Sequence, residues 1–214
     1  MKARSNDPMI RAALVRRLID AGIPRNCIRH EITLDSSSSD GRADLVVIRD
    51  AALVGVEIKS GRDTLERLVS QRPRYSARFD RVLLVCDERH KPWKDDLWGW
   101  EGWEAVTATF DGSAIKFVEN YWSGMGALLN PPPKWCDSSG SYLAPRAMLQ
   151  MLWANEIKAI SGCGTRTSGI PHIAENVPLK GVRAAVINAL RSRQLNRWEE
   201  KFWQAFDAEQ REAA

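Results

Sequence analysis

Glu57 and Lys59 stand two residues apart in the run Gly55-Val56-Glu57-Ile58-Lys59-Ser60, and Asp44 lies thirteen residues before Glu57, in Gly41-Arg42-Ala43-Asp44-Leu45. Side chains alternate across a strand, so Glu57 and Lys59 project from one face while Val56 and Ile58 project from the other. An Asp early in the preceding strand of a hairpin can face that pair. Two carboxylates and an ammonium then converge at one end of a sheet. Hard oxygen donors in that number suit a divalent cation such as magnesium, which keeps several waters and shares its shell with a substrate phosphate. Such an ion supplies Lewis acidity and an activated water, and a lysine beside it can orient or help deprotonate that water. Isolated buried charges are costly, so the strand either turns Glu57 and Lys59 to solvent as an ordinary surface pair or pairs them for function.

The elements that must position these groups follow from patterning. Residues 42–49 and 53–60 are two β-rich runs joined by a turn around Asp50, a hairpin. Before it, Ile28, His30, Ile32 and Leu34 alternate with Arg29, Glu31 and Thr33 in a strand, with Glu31 on the polar side and His30 on the apolar side as a core histidine. A helix precedes that strand: Asp7 caps it, Pro8 suits its first turn, Ile10, Ala13, Leu14 and Leu18 share a face, and Gly22 and Pro24 stop it. Its other face carries Arg11, Arg16 and Arg17, either as a solvated surface or as phosphate contacts.

Beyond the hairpin, residues 64–79 read as a helix with Leu65, Leu68 and Val69 inward, and Pro73 ends or kinks it between Gln71 and Tyr75. Residues 81–86 form a short buried strand. The stretch 91–103, with four tryptophans, has no clear period. Residues 104–110 and 114–118 alternate around Asp111-Gly112, a hairpin for the sheet edge. The breaks at 130–133 and 137–141 mark a linker.

Helical spacing then takes over, in 145–160 (Leu149, Leu152, Trp153, Ile157) and 180–195 (Val182, Val186, Ala189, Leu190), with a loop at 162–169. This gives a core over 1–125, a linker over 126–144 and a helical C-terminal region over 145–214. A short helix, a turn at Pro178 and a basic helix over 170–195 are compatible with a helix-turn-helix that offers Arg183, Arg191 and Arg193 to DNA, or with a packing or lid helix. Trp198, Phe202, Trp203 and Phe206 suit a small core or a contact in a homo-oligomer.

The progression Arg42, Asp44, Glu57 to Ser60, Asp63, Leu65, Arg67, Leu68, Gln71 and Tyr75, with Glu31 upstream, resembles the PD-(D/E)XK nuclease superfamily. It is nearest the RecB-like branch and its small bacterial and phage proteins, over about residues 8–120. A bare D-x13-E-x-K is unspecific; Gly41, the apolar flanking strands and the Gln71-x3-Tyr75 spacing make it specific. Ala43 stands where the superfamily's name has proline.

The resemblance implies an α/β fold: a restriction-endonuclease-like core, with a central mixed sheet flanked by helices, and a helical C-terminal appendage. It implies that Asp44 and Glu57 ligate Mg2+ or Mn2+ with the carbonyl of Ile58 completing the shell, and that Lys59 positions the attacking water. Glu31 would be a supporting acid, and Gln71 and Tyr75 would flank the scissile phosphate.

Composition sets the frame. With 214 residues, 44% hydrophobic and 27% charged, the chain is a folded domain with room for a small appendage, neither disordered nor fibrous. Its net charge of +4 is too mild to demand a polyanion, yet it is uneven. In the first 30 residues seven cations oppose two acids, and in 180–201 six oppose two, so basic ends suited to a phosphate backbone flank a balanced middle. No apolar run approaches the ~18 residues of a membrane span and the start lacks a signal peptide's apolar core, so a cytoplasmic protein of bacterial or phage-infected cells is expected. Four scattered cysteines and three scattered histidines give no zinc spacing.

The expectation is a divalent-metal-dependent nuclease that hydrolyses DNA phosphodiester bonds in repair, defence or a mobile-element setting. RNA would obey the same chemistry. The alternative is a catalytically inactive nucleic-acid-binding or protein-interaction module, such as a phage-borne regulator, on the same fold.

Overall fold

The computed structural model describes residues 5–34, 41–90, 103–119 and 143–212. The tryptophans at 93, 98 and 100 and most of the expected linker lie outside these residues.

Helix α1 (Asp7–Asp20) is capped by Asn6, whose side chain accepts the N–H of Met9 at 3.0 Å. Asp7, the expected cap, sits one position inside, where its charge still suits the helix N-terminus, and it pairs with Arg11 one turn later. Gly22, at φ +83°, turns the chain out of the helix.

Among the described residues six strands follow: β1 (Ile28–Thr33), β2 (Arg42–Ile48), β3 (Leu53–Lys59), β4 (Arg81–Asp87), β5 (Trp103–Phe110) and β6 (Ile115–Glu119). They form one mixed sheet in sequence order, β3–β4–β5 parallel and the remaining neighbours antiparallel. With helices flanking the sheet, this is the expected α/β architecture. Strand β3 is interior and every residue of it is buried, as a strand covered on both faces must be. Glu57 and Lys59 are therefore not an exposed edge pair.

Helix α2 (Leu68–Ser76) bridges β3 and β4. It starts later than the sequence suggests, and Val69, expected inward, is 70% exposed. Pro73 removes one backbone donor from the helix, but Gln71 and Tyr75, one turn apart, are both buried. The hairpin of β5 and β6 turns at Asp111 and Gly112 as expected, with β6 at the edge.

The C-terminal part holds α3 (Pro145–Leu149), α4 (Ala154–Ser161), α5 (Arg166–Asn176), α6 (Leu179–Ser192) and α7 (Arg197–Glu212). The single helix expected over 145–160 is two. Glu156 accepts the backbone N–H of Trp153 at 2.6 Å and starts α4 afresh, leaving the Trp153 ring exposed beside Arg193 instead of buried. The loop expected over 162–169 is shorter, because Thr165 caps α5 by accepting the N–H of Ser168.

These helices share the sheet's core: Leu149, Val186 and Trp203 belong to the same apolar cluster as Leu14, Val56 and Leu84. Buried ions fasten them. Glu199, fully buried, accepts from Arg29 Nη2 (2.7 Å) and from the backbone N–H of His30 (3.1 Å) and Asn196 (3.0 Å). Arg183 pairs with Asp80 at 3.1 Å, and Arg193 with Glu156 at 2.5 Å.

Helices α5 and α6 do meet around Pro178, and the surroundings of Arg183 and Arg193 fit the packing or lid reading better than contact with DNA. Both are buried ion-pair partners, which makes α6 a packing helix. His30 is a core histidine as read. It is fully buried among the rings of Trp198, Phe202 and Trp203, and burial together with Arg11 and Arg29 pushes its pKa down to about 2. Among the described residues no helix is long and apolar enough to cross a membrane.

Candidate active site

The strands β2 and β3 pair from Ile48↔Leu53 to Leu45↔Val56. Past that point side chains replace the ladder. Asp44, next after Leu45, accepts the N–H of Ile58 with its Oδ2 at 2.7 Å. This hydrogen bond fixes the Asp44 carboxyl beside the end of β3 that carries Glu57 and Lys59.

A polar cavity of about 220 Å3 opens there, lined by Asp7, Glu31, Arg42, Asp44, Glu57, Ile58, Lys59, Asp63, Arg67 and Gln71. Residues from α1, β1, β2, β3, the turn after β3 and α2 thus meet in one place, and most of the sequence-identified set is among them.

Glu57 is the hub. Its Oε1 accepts from Lys59 Nζ at 2.6 Å and from Gln71 Nε2 at 3.0 Å, and its Oε2 accepts from the Tyr75 hydroxyl. Tyr75 lies behind the cavity and does not line it. Burial, then the charges of Glu57 and Asp44, hold its hydroxyl well above the usual phenol range, so it is a permanent donor and not a base.

Helix α2 is seated by aromatic packing. Phe79 lies against β3 at Gly55, where a Cβ would come within 2.4 Å of its ring, and Tyr75 contacts both Phe79 and Trp103. Glycine at 55 is thus what lets α2 bring Gln71 and Tyr75 onto Glu57.

Asp44 faces the opposite balance. Burial first, then the negative charge of Glu57, push its carboxyl up to about 8, against the pull of Arg11. The two carboxylates repel each other across the cavity. Such a pair of hard oxygen donors fits a magnesium-type ion, which takes one or two carboxylates and fills its shell with water and substrate oxygens. Among the described residues no three His, Cys, Asp or Glu side chains form a group that could hold a metal ion.

The basic residues are distributed otherwise than expected. Arg11 is not on a phosphate-binding face: it is 3% exposed and paired with Asp7, Glu31 and Asp44. Arg16 and Arg17 line a different, larger cavity of about 680 Å3 with Lys116 and Phe117, between α1 and β6. Arg191 lies 3.6 Å from Asp50.

The cations that line the acidic cavity are Arg42 and Arg67, together with Lys59. Sequence reading left those two arginines out of the site, although each falls inside the motif run. A signal for Arg11 was present too, because 11, 14 and 18 follow the spacing of the buried stripe and Asp7 stands one turn earlier.

Glu31 has the one left-handed backbone among the described non-glycine residues, at φ +51°. The register of β1 on β2 runs unbroken on either side, His30↔Leu45 and Ile32↔Ala43. The kink is confined to Glu31 and costs about 1–3 kcal/mol in a non-glycine residue. It accompanies a Glu31 carboxylate 3.0 Å from Arg11 and 3.6 Å from Arg42.

A family model described as bacteriophage P4 protein cII matches residues 1–92. That span contains α1, β1 to β4 and α2, and so every residue that lines the acidic cavity. No curated protein and no solved structure matches the chain.

Proposed function

We propose that this chain is a nucleic-acid-directed protein of phage type, and that its acidic cavity is the active site of a divalent-metal-dependent phosphodiester hydrolase acting on DNA. The observation that carries this reading is the meeting of Asp44, Glu57 and Lys59 at one cavity on an interior strand. Burying Glu57 and Lys59 in a sheet centre is costly, and apolar residues there would serve stability as well or better.

Asp44, Glu57 and the main chain at Ile58 would hold Mg2+ or Mn2+, which when bound supplies Lewis acidity and lowers the pKa of a coordinated water. The protein's own groups do the rest. Lys59, held by Glu57 and Gln71, presents its ammonium to the cavity, where it orients the attacking water and offsets charge building on the phosphate. Gln71 and Tyr75 fix the Glu57 carboxylate by donating to both its oxygens. Arg42 and Arg67 draw the backbone phosphates to the cavity mouth.

A second reading is a phage-borne regulator or binding module on the same fold, without turnover. The match to bacteriophage P4 protein cII supports it more directly than it supports hydrolysis. So does the fact that every carboxylate oxygen of Asp44 and Glu57 already accepts from a protein donor.

Incubation with linear, circular and single-stranded DNA and with RNA, in Mg2+, Mn2+ or EDTA, separates the two. Hydrolysis would give metal-dependent cleavage that Asp44→Ala and Lys59→Ala abolish. Retarded DNA without cleavage, or equal cleavage by the variants, would leave the binding module as the reading.

A further inference from the structure

Trp203 and Phe206 close the core at 5% and 4% exposure, whereas Trp198, in the first turn of α7, leaves 42% of its surface open. Its ring is nevertheless held in place. Asn196 accepts the backbone N–H groups of Trp198 and Glu199, both at 2.9 Å, and Glu199 is itself fastened to Arg29 and His30. Phe202 stacks on the indole, 8° from parallel with centroids 5.7 Å apart, and the His30 ring lies 5.2 Å away.

This ring borders the acidic cavity. The guanidinium carbon of Arg11 lies 5.1 Å from its centroid, and Arg11 Nη2 reaches Glu31 Oε1 and Asp44 Oδ1, each at 3.0 Å. The indole is therefore within about 10 Å of the Asp44 carboxylate, roughly the reach of one or two nucleotides along an extended strand. Arg11 offsets the acids beside the ring. Arg42, with 58% of its side chain exposed, and Arg67 bring cations to the cavity, and Arg197, next to Trp198 in the chain, is exposed.

We propose that Trp198 is a stacking platform for an unpaired base, so that the strand entering the acidic cavity is single-stranded DNA. This rests on the nucleic-acid reading of the cavity but not on turnover there. A positively charged track with an aromatic ring beside it is the arrangement that holds a single strand, because every unpaired base offers a π-face. Bases in a duplex are already stacked on one another, so a duplex gains nothing from the indole.

The experiment measures binding in EDTA, by fluorescence anisotropy with a short single-stranded oligonucleotide and by competition with closed-circular duplex, for wild type, Trp198→Leu and Trp198→Phe. Leucine keeps an apolar cover over His30 but cannot stack; phenylalanine can. Trp198→Leu should weaken single-strand binding about 5- to 150-fold, leave its salt slope and duplex binding unchanged, and Trp198→Phe should recover most of the loss. Against an abasic strand of the same length, wild type and Trp198→Leu should bind alike.

Equal single-strand affinity of wild type and Trp198→Leu would overturn the proposal. So would an equal loss on duplex or on the abasic strand, which marks a structural role, or a wild-type dimer in sedimentation that Trp198→Leu dissociates, which gives the ring to a second copy. Base-dependent binding through Trp198 with no cleavage in Mg2+ or Mn2+ would sink the hydrolase reading and leave the platform standing. Metal-dependent cleavage with Trp198→Leu binding unchanged would do the reverse. Absence of binding to any DNA would overturn both.

Discussion

Asp44→Asn should make the metal-free protein more stable, and increasingly so as the pH rises from 6.5 to 8. The carboxyl of Asp44 is pushed from 3.8 up to about 8 in the folded chain by burial and by Glu57. Between those values the unfolded state has lost the proton and the folded state keeps it, so stability falls as pH rises, by about 1.4 kcal/mol per pH unit at full weight. The slope flattens as the pH passes the folded value. Over pH 6.5 to 8 the integrated loss is about 1–1.5 kcal/mol, the lower figure allowing for solvent screening at a side chain that is 22% exposed.

His30 contributes little in this window and equally to both proteins. Its pKa is about 2 when folded and 6.5 when free, so it costs only about 0.4 kcal/mol at pH 6.5, almost nothing at pH 8, and progressively more below 6.5. Asparagine cannot titrate, so the variant should lack the alkaline slope. The assay is urea unfolding in EDTA at half-unit pH steps, followed by tryptophan fluorescence, and a loss of about 1–1.5 kcal/mol corresponds to roughly 2–6 °C in melting temperature for a chain of this size. Parallel pH profiles for wild type and Asp44→Asn would refute the reasoning.

Glu199→Ala should cost about 3–5 kcal/mol in urea unfolding because it strands the buried Arg29, whereas joint replacement by Arg29→Met and Glu199→Leu should cost far less. Arg42→Ala and Arg67→Ala should each reduce the log–log salt slope of DNA binding in EDTA by about 1, measured by fluorescence anisotropy, while Arg146→Ala, an exposed cation paired with Glu175, should leave it unchanged. His30→Phe should remove the part of acid destabilisation that begins below pH 6.5, by about 1.4 kcal/mol per unit, in an acid titration of stability. An unchanged acid limb would contradict that assignment.

What was legible in the sequence was local. Alternation placed Glu57 and Lys59 on one face, a hairpin placed Asp44 beside them, and one helical turn linked Gln71 to Tyr75. The surroundings of the arginines are less legible, because most of their partners are remote. Arg11 meets Asp44 33 residues away, and Arg29 meets Glu199 at a separation of 170. A count of charges treats a buried ion pair and a solvated side chain alike. Arg183 carried the same signal as Arg11, lying with Val186, Ile187 and Leu190 on the stripe that α6 buries. The break after α3 was hidden because Leu149, Leu152 and Ile157 keep an apolar spacing across it, whereas the capping bond from Glu156 that starts α4 anew is polar.

The clamp of Glu199 on Arg29 and His30 also bears on when the site can form during synthesis. At translation rates of about 5–20 residues per second, roughly 10–30 s separate the emergence of β1 from that of its partner on α7. Until then Arg29, on the strand that bears Glu31, lacks the carboxylate that holds it in the folded protein. The acidic cavity lies wholly within the first 71 residues, yet the last helix makes its first strand secure. The acidic cavity would therefore be completed only after Glu199 has left the ribosome.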